Sequence, residues 1–263
     1  MNKNHKKITL GVVPARMGSS RFPGKPMKPL HGIPMIGHCI YRASRCDKLD
    51  DVVVATCDQE IFDYVQSIGF KAIMTSDSHE RASDRVAEAM LKYEEDHQEC
   101  VEICVLLQGD EPMSDPSTIG MAVDAIQSDD SIKVVNVYSE IEDDEEFLDH
   151  NVVKVVPTAN QTACYFSREP IPSAALAKSS YKKYKQICII PFRRNYLLEY
   201  TNLKPTANEI VESIDMNRVL DYEEKVYLVY SDSPNYAVDT PEDLTKVESL
   251  MVGDRLLEKY SQR

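Results

Sequence analysis

The chain has no stretch of about 18 apolar residues, so no membrane span is expected. It has no Cys-x-x-Cys. Its seven cysteines (Cys39, Cys46, Cys57, Cys100, Cys104, Cys164 and Cys188) are odd in number and scattered, several in apolar runs. That pattern argues against disulfides and zinc ligands, and for reduced thiols in a cytoplasmic protein. Positive charge is in deficit. Lys plus Arg is 30 and Asp plus Glu is 43, a formal charge of −13, which disfavours a general nucleic-acid binder. No Gly-x-x-x-x-Gly-Lys-Ser/Thr is present, so a P-loop kinase or ATPase is not indicated. No Gly-x-Gly-x-x-Gly opens the first helix, so a dinucleotide dehydrogenase is not expected. The leading residues, MNKNHKK, are polar and basic, and the apolar run after them (residues 8–13) is too short for a secretory signal.

What is present suits a packed α/β protein. The 263 residues are 43% hydrophobic, enough for one large domain or two small ones. Apolar strand segments alternate with amphipathic ones. Strands are expected at residues 8–13, 51–56, 71–74, 103–107 and 133–138. Helices are expected at 34–46, 59–68, from Ser83 as cap to about 95, and at 116–127. This order predicts a doubly wound, mostly parallel sheet. The second half is less regular: a strand pair at 152–156 and 163–166, and a surface loop over 169–185. A strand at 187–192, a short helix at 194–200 and a helix at 209–220 follow. The chain closes with a strand at 226–230 and a helix at 241–250, capped by Asp239 or Thr240. The acidic run 140–146 reads as a solvated loop. No internal repeat and no linker long enough to divide domains is evident, so the chain reads as one domain over 1–263.

Residues 13–25, VPARMGSSRFPGK, carry the most information. A short apolar strand ends at Pro14, and a loop of small residues and cations follows. Such a loop cradles phosphates. Gly18 and Gly24 allow close backbone approach, Ser19 and Ser20 donate hydrogen bonds, and Arg16, Arg21 and Lys25 match a triphosphate in charge. The alternative, a basic surface turn, sits poorly with the acidity of the chain. A second signal, Gln108-Gly-Asp-Glu-Pro112, directly follows a buried strand. Ligands of open α/β sheets bind beyond the strands' carboxyl ends, so Asp110 would face the phosphates and hold Mg²⁺. The alternative is a turn in which Gly109 serves a backbone angle. A third signal, Ala237-Val-Asp-Thr-Pro-Glu-Asp-Leu244, is a good helix start. Asp239 there is also placed to give a second carboxylate to the metal. Together these parts suit nucleotidyl transfer, in which a hydroxyl attacks the α-phosphorus of a nucleoside triphosphate and pyrophosphate leaves. His31 and His38 read as structural, while His79 stays open between a structural and a functional role.

The motifs PARMGSSRFPGKPM, HGIPMIGHCIYRA, VVVATCD, MTSDSHERASDRVAEA, LLQGDEPM, NVVKVV, YFSREPIP and AVDTPEDL, in this order, resemble the 3-deoxy-manno-octulosonate cytidylyltransferase (CMP-KDO synthetase) family, and more loosely the acylneuraminate cytidylyltransferases. The resemblance runs from about Thr9 to Leu250. It implies a Rossmann-like α/β domain, CTP and an acidic 2-keto sugar as substrates, Mg²⁺ as cofactor, and a cytoplasmic homodimer without membrane insertion. Residues of about 8–140 would form the nucleotide-binding core. Those of about 150–235 would supply sugar and dimer contacts. Carried onto this chain, Arg16, Lys25, Asp110 and Asp239 are catalytic, and Asp110 and Asp239 hold the metal. Pro14, Ala15, Arg16, Gly18, Ser19, Arg21, Lys25, Met74, Ser83, Arg85 and Gln108 bind nucleotide. Arg168, Gln186, Glu212 and Asp215 face the sugar.

The chain departs from the family in places. Where the family has Ser-Gly-Thr-Glu-Arg, this sequence has Arg81-Ala-Ser-Asp-Arg85. Gln186 replaces a histidine, and Asp215-Met216 replaces Glu-Gln, while Glu212 and Arg218 are kept. Loss of such polar groups changes which hydroxyls a pocket recognises. The resemblance therefore leaves KDO, its 8-amino analogue or another nonulosonic acid as acceptors. A noncatalytic nucleotide-binding relative, or an enzyme using another triphosphate or a sugar phosphate, are the remaining alternatives.

Overall fold

The structure is a computed structural model that describes residues 7–18, 21–173 and 175–261. The first half runs β1 (Lys7–Ala15), a 3-10 turn (Lys25–Met27), a small hairpin of β2 (Pro29–Leu30) and β3 (Ile33–Pro34), then α1 (Met35–Ala43). It continues with β4 (Asp51–Thr56), α2 (Gln59–Ser67), β5 (Lys71–Met74), α3 (Ala82–His97), β6 (Cys100–Leu107) and α4 (Pro116–Gln127). The second half runs β7 (Val135–Ile141), α5 (Asp144–Leu148), β8 (Lys154–Pro157), β9 (Ala163–Ser167), β10 (Lys183–Ile187) and β11 (Ile189–Arg193). It ends with α6 (Arg194–Asn202), α7 (Ala207–Glu212), α8 (Met216–Asp221), β12 (Tyr227–Tyr230), α9 (Pro241–Leu250) and α10 (Arg255–Tyr260).

Five strands form the central sheet in the order β11-β6-β1-β4-β5, all parallel except β11. The strands are buried on both faces, and alternation divides their side chains between two cores. Val53 and Ala55 join Val86, Met90 and Tyr93 of α3 on one face. Val52 and Val54 join Ile36 and Ile40 of α1, Ile61 and Val65 of α2, and Val123 of α4 on the other. Helices thus cover both faces, as the sequence predicts. The strand order reverses between β1 and β6, so the crevice at that switch point opens beyond Ala15 and Leu107.

A second five-stranded sheet, β12-β7-β10-β8-β9, pairs β12 and β7 in parallel and its other neighbours antiparallel. The expected single strand at 187–192 is two strands in two sheets. Ile187 pairs with Val137, whereas Ile189 pairs with Leu107. Cys188 crosses between them, its amide donating to Glu111 Oε1 at 3.3 Å. The loop expected over 169–185 yields its last three residues to β10. The acidic run 140–146 is exposed over 142–145, as expected, but it is not a loop throughout: it ends β7 and opens α5, and Glu140, Asp144 and Glu146 pair with Lys182, Lys183 and Lys185. The helix expected at 209–220 breaks in two at Ser213, whose φ is 54°. The last helix, α10, has no counterpart among the sequence expectations; it packs Tyr260 on His38 and Tyr41. All seven cysteines are free. No helix among the described residues is long and apolar enough to cross a membrane.

Candidate active site

The loop after β1 and the loop after β6 meet at the switch point around a cleft of about 330 Å³. Their approach is close. A Cβ on Gly109 would lie 2.7 Å from the Pro14 carbonyl oxygen, so glycine is required there for space and not for a left-handed angle. Gly24 is the true left-handed position, with φ 71°, and its amide donates to the Met17 carbonyl at 3.1 Å. A Cβ on Gly18 would meet nothing within 4 Å. The Met17 amide is tied to Asp58 at 2.8 Å, fixing the loop to the end of β4.

Lys25 opens the 3-10 turn and points its Nζ inward. It lies 2.7 Å from Asp110 Oδ2, 3.3 Å from Asp239 Oδ1 and 2.7 Å from the Val238 carbonyl oxygen. Burial disfavours the ammonium, but the two carboxylates outweigh that and hold the Lys25 pKa above its ordinary value. Asp239 reaches this place because the Val238 amide donates to the Asp110 carbonyl oxygen at 2.9 Å. Of the two expected caps for α9, the structure uses Thr240, in a capping box with Asp243. Asp239 is left to face Lys25, and Arg21 Nη2 lies 3.0 Å from it.

Both halves of the chain line this cleft. Pro14, Ala15, Arg16, Gly18, Arg21, Lys25, Arg85, Gln108, Asp110 and Asp239 border it, with His79, Glu80, Arg81 and Ala82 from the loop before α3. Five cations stand against Glu80, Asp110 and Asp239, in a chain whose net charge is −13. Arg85 donates to Thr75 Oγ1 at 2.5 Å, and its Nη2 is buried without a hydrogen-bond partner among the described residues. A buried unpaired guanidinium nitrogen is costly, and a ligand in the cleft would satisfy it. Ser19 lies outside the described residues, as does Ser20.

Other expected site residues stand apart from the cleft wall. Met74 ends the edge strand β5, and its carbonyl accepts from Lys92 at 2.7 Å. Ser83 does not cap α3; that place is taken by Arg81, and Ser83 Oγ donates to Asp215 at 3.0 Å. Glu212 accepts from Ser167 and the Arg168 amide. Arg168 donates through Nε, Nη1 and Nη2 to the carbonyls of Glu212, His150 and Ser213. Gln186 Nε2 donates to Asn136. Met216 is buried in the core, 1% exposed. Asp215 touches the cleft through Arg81, whose Nη1 lies 3.3 Å from it. Two contacts were not anticipated. Asn151, which opens the NVVKVV motif, accepts from Arg21. Glu111, beside Asp110, is buried and braces the sheet crossover; burial pushes its carboxyl up to about 7 despite hydrogen bonds from Asn235 and Cys188.

The donor set fits a hard divalent cation. Asp110 and Asp239 converge on one cationic group, the Lys25 ammonium, which marks where positive charge is favoured. No group of three or more His, Cys, Asp or Glu suited to a metal exists among the described residues. Two carboxylates with substrate phosphates and water are the set Mg²⁺ takes.

Residues 10–230 match the family model described as cytidylyltransferase. The chain is 35% identical over 252 residues to a 3-deoxy-manno-octulosonate cytidylyltransferase of Trichlorobacter lovleyi, covering 92% of this chain and 98% of that one. It is also 35% identical over 251 residues to the enzyme of that name from Geobacter metallireducens, covering 92% and 96%. A solved CMP:2-keto-3-deoxy-manno-octonic acid synthetase, complexed with CTP, superposes with a TM-score of 0.85 at 35% identity over 95% of this chain and all of that one. A glucose-1-phosphate thymidylyltransferase from Bacillus anthracis shares the fold, with a TM-score of 0.65 at 19% identity over 92% and 94%.

Proposed function

The chain belongs to the cytidylyltransferase family, and from that premise we infer that it joins CTP to 3-deoxy-manno-octulosonate (KDO), giving CMP-KDO and pyrophosphate. The observation that carries this reading is the convergence of Lys25, Asp110 and Asp239 under a cation-lined wall at the sheet's switch point. The acceptor hydroxyl attacks the α-phosphorus. Arg16, Arg21 and Lys25 neutralise the triphosphate and the departing pyrophosphate. The unpaired Nη2 of Arg85 binds the nucleotide from the α3 side. Gln108 completes its contacts, and Glu212, Gln186 and Asp215 stand on the sugar side. Mg²⁺, held by Asp110 and Asp239, would supply charge neutralisation at the α-phosphate. The protein would act in the cytoplasm, where CTP is made, as a homodimer joined through its second half. The exposed Ile210 and Val211 of α7 support that contact.

The test is pyrophosphate release with Mg²⁺ and CTP, UTP or ATP, against KDO, 8-amino-KDO and acylneuraminate. Release with CTP and KDO is expected. Release with CTP and only another acid would correct the acceptor. Tight nucleotide binding without turnover on any acceptor would replace the enzyme with a binding protein.

A further inference from the structure

The loop 149–152, between α5 and β8, is shaped by two cations that bond to its backbone. Lys154 Nζ donates to the carbonyls of Asp149 at 2.8 Å and Val152 at 2.7 Å, and also to that of Arg168. Arg168 Nη1 donates to the His150 carbonyl at 2.9 Å. The Asn151 amide donates to Asp149 Oδ1 at 2.8 Å. Lys154 is 0% exposed and forms no ion pair among the described residues. Burying an ammonium against neutral carbonyls costs free energy. The return on that cost is a loop of one shape.

What the loop presents is the Asn151 side chain. Its Oδ1 accepts from Arg21 Nη1, across a sequence separation of 130 residues. The other terminal nitrogen of Arg21 lies 3.0 Å from Asp239 Oδ1. The Arg21 side chain is itself 50% exposed. Ungripped, a side chain of that length has much rotamer freedom to lose when it meets a phosphate. Gripped on both sides, it is ordered in advance.

We propose that Asn151 is a positioning residue for Arg21, so that a loop of the second half, cast by Lys154 and Arg168, completes the phosphate cradle built by the first. The proposal rests on the reading of the cleft as a triphosphate site. Asn151 acts through the guanidinium, and its effect belongs to phosphate binding and not to the acceptor.

The experiment is a double-mutant cycle of Asn151→Ala and Arg21→Ala. It reads the Kd for CTP by calorimetry with Mg²⁺, and the KM values for CTP and KDO. Asn151→Ala should weaken CTP about 5- to 10-fold, leave KM for KDO within about twofold, and leave Tm unchanged. In the Arg21→Ala background the same change should have no further effect. Asn151→Asp, which keeps an acceptor oxygen in place, should retain the non-additivity with Arg21→Ala. Lys154→Met should imitate Asn151→Ala if it folds; the Asn151 variants decide the matter if it does not. Multiplying losses in the double variant, or a CTP Kd unchanged by Asn151→Ala, would overturn the proposal. Inorganic tripolyphosphate serves as a second probe. If the wild-type protein binds it but not CTP, the nucleotide reading fails, and the same cycle read with tripolyphosphate still decides the role of Asn151.

Discussion

Lys25 Nζ lies 2.7 Å from Asp110 and 3.3 Å from Asp239, residues 85 and 214 positions away in the chain. One ammonium therefore holds together two carboxylates that would otherwise repel. Replacing it with a neutral group of similar length separates its two duties. Lys25→Met should lower kcat about 100-fold or more. It should also make Mg²⁺ more stabilising: the rise in Tm on adding Mg²⁺ should exceed that of the wild type, since a bound cation takes over the lost charge. Equal Tm shifts would reject a metal between these carboxylates. Asp110→Asn should nearly abolish turnover while circular dichroism shows the fold intact; a near-normal rate would reject the same assignment.

Gly109 faces the Pro14 carbonyl so closely that a methyl group has no room. Pro14 lies on β1 and Gly109 two residues past the end of β6; the two strands are hydrogen-bonded neighbours and cannot part freely. Gly109→Ala should cost about 1–3 kcal/mol in urea denaturation. It should lower kcat/KM for CTP more than its stability loss explains, because the cleft walls shift. Native stability together with native activity would show that the strands yield.

Arg218 and Glu209 form a buried forked pair, with Nε–Oε2 at 2.6 Å and Nη2–Oε1 at 2.5 Å. Burial opposes the charge on Arg218, but the Glu209 carboxylate overcomes it and raises the pKa. Arg218→Met leaves Glu209 buried without its fork and should cost about 3–5 kcal/mol. The double variant Glu209→Leu/Arg218→Met should cost less than that single change. Chemical denaturation of the two proteins checks the order, and the reverse order would contradict the assignment.

His38 is fully buried between Tyr260 Oη, 2.8 Å from Nδ1, and the Leu30 carbonyl, 2.9 Å from Nε2. That network fits a neutral ring donating from Nε2 and accepting at Nδ1. Burial lowers the pKa to about 4 from 6.5. The unfolded chain therefore binds a proton below about 6.5 that the folded chain refuses until about 4. Stability should be fully present above pH 6.5 and fall as the pH drops through that window, by on the order of 3 kcal/mol. His38→Gln should flatten this limb of the stability profile. An unchanged acid slope would assign the loss to other groups.

Much of the lining of the candidate cleft was legible in the sequence, for a local reason. The cradle, Asp110 and Asp239 each follow a strand or open a helix, and short motifs encode such junctions. Several strands and helices of the first half stand where hydrophobic periodicity places them; β4, β5 and α4 match residue for residue. The second half was less readable. Cys188 lies inside the apolar run 187–192, which reads as one strand, yet the chain changes sheets there, where Glu111 from another loop takes its amide. Residues 209–220 have a helical pattern, but Glu212 is drawn to Ser167 and Arg168, and Asp215 to Arg81 and Ser83, and the helix breaks between them.

The sequence by itself determined that this chain folds as a doubly wound sheet and carries cations and carboxylates at the ends of its strands. Strand periodicity and loop composition are properties of neighbouring residues. Tertiary structure alone decided which charged groups meet. It set Lys25 between Asp110 and Asp239, gave the cap of α9 to Thr240 so that Asp239 faces the cleft, placed Arg81 against Asp215, and brought Asn151 to Arg21. Those choices depend on which strands lie side by side, and strand order is fixed by packing across the whole chain.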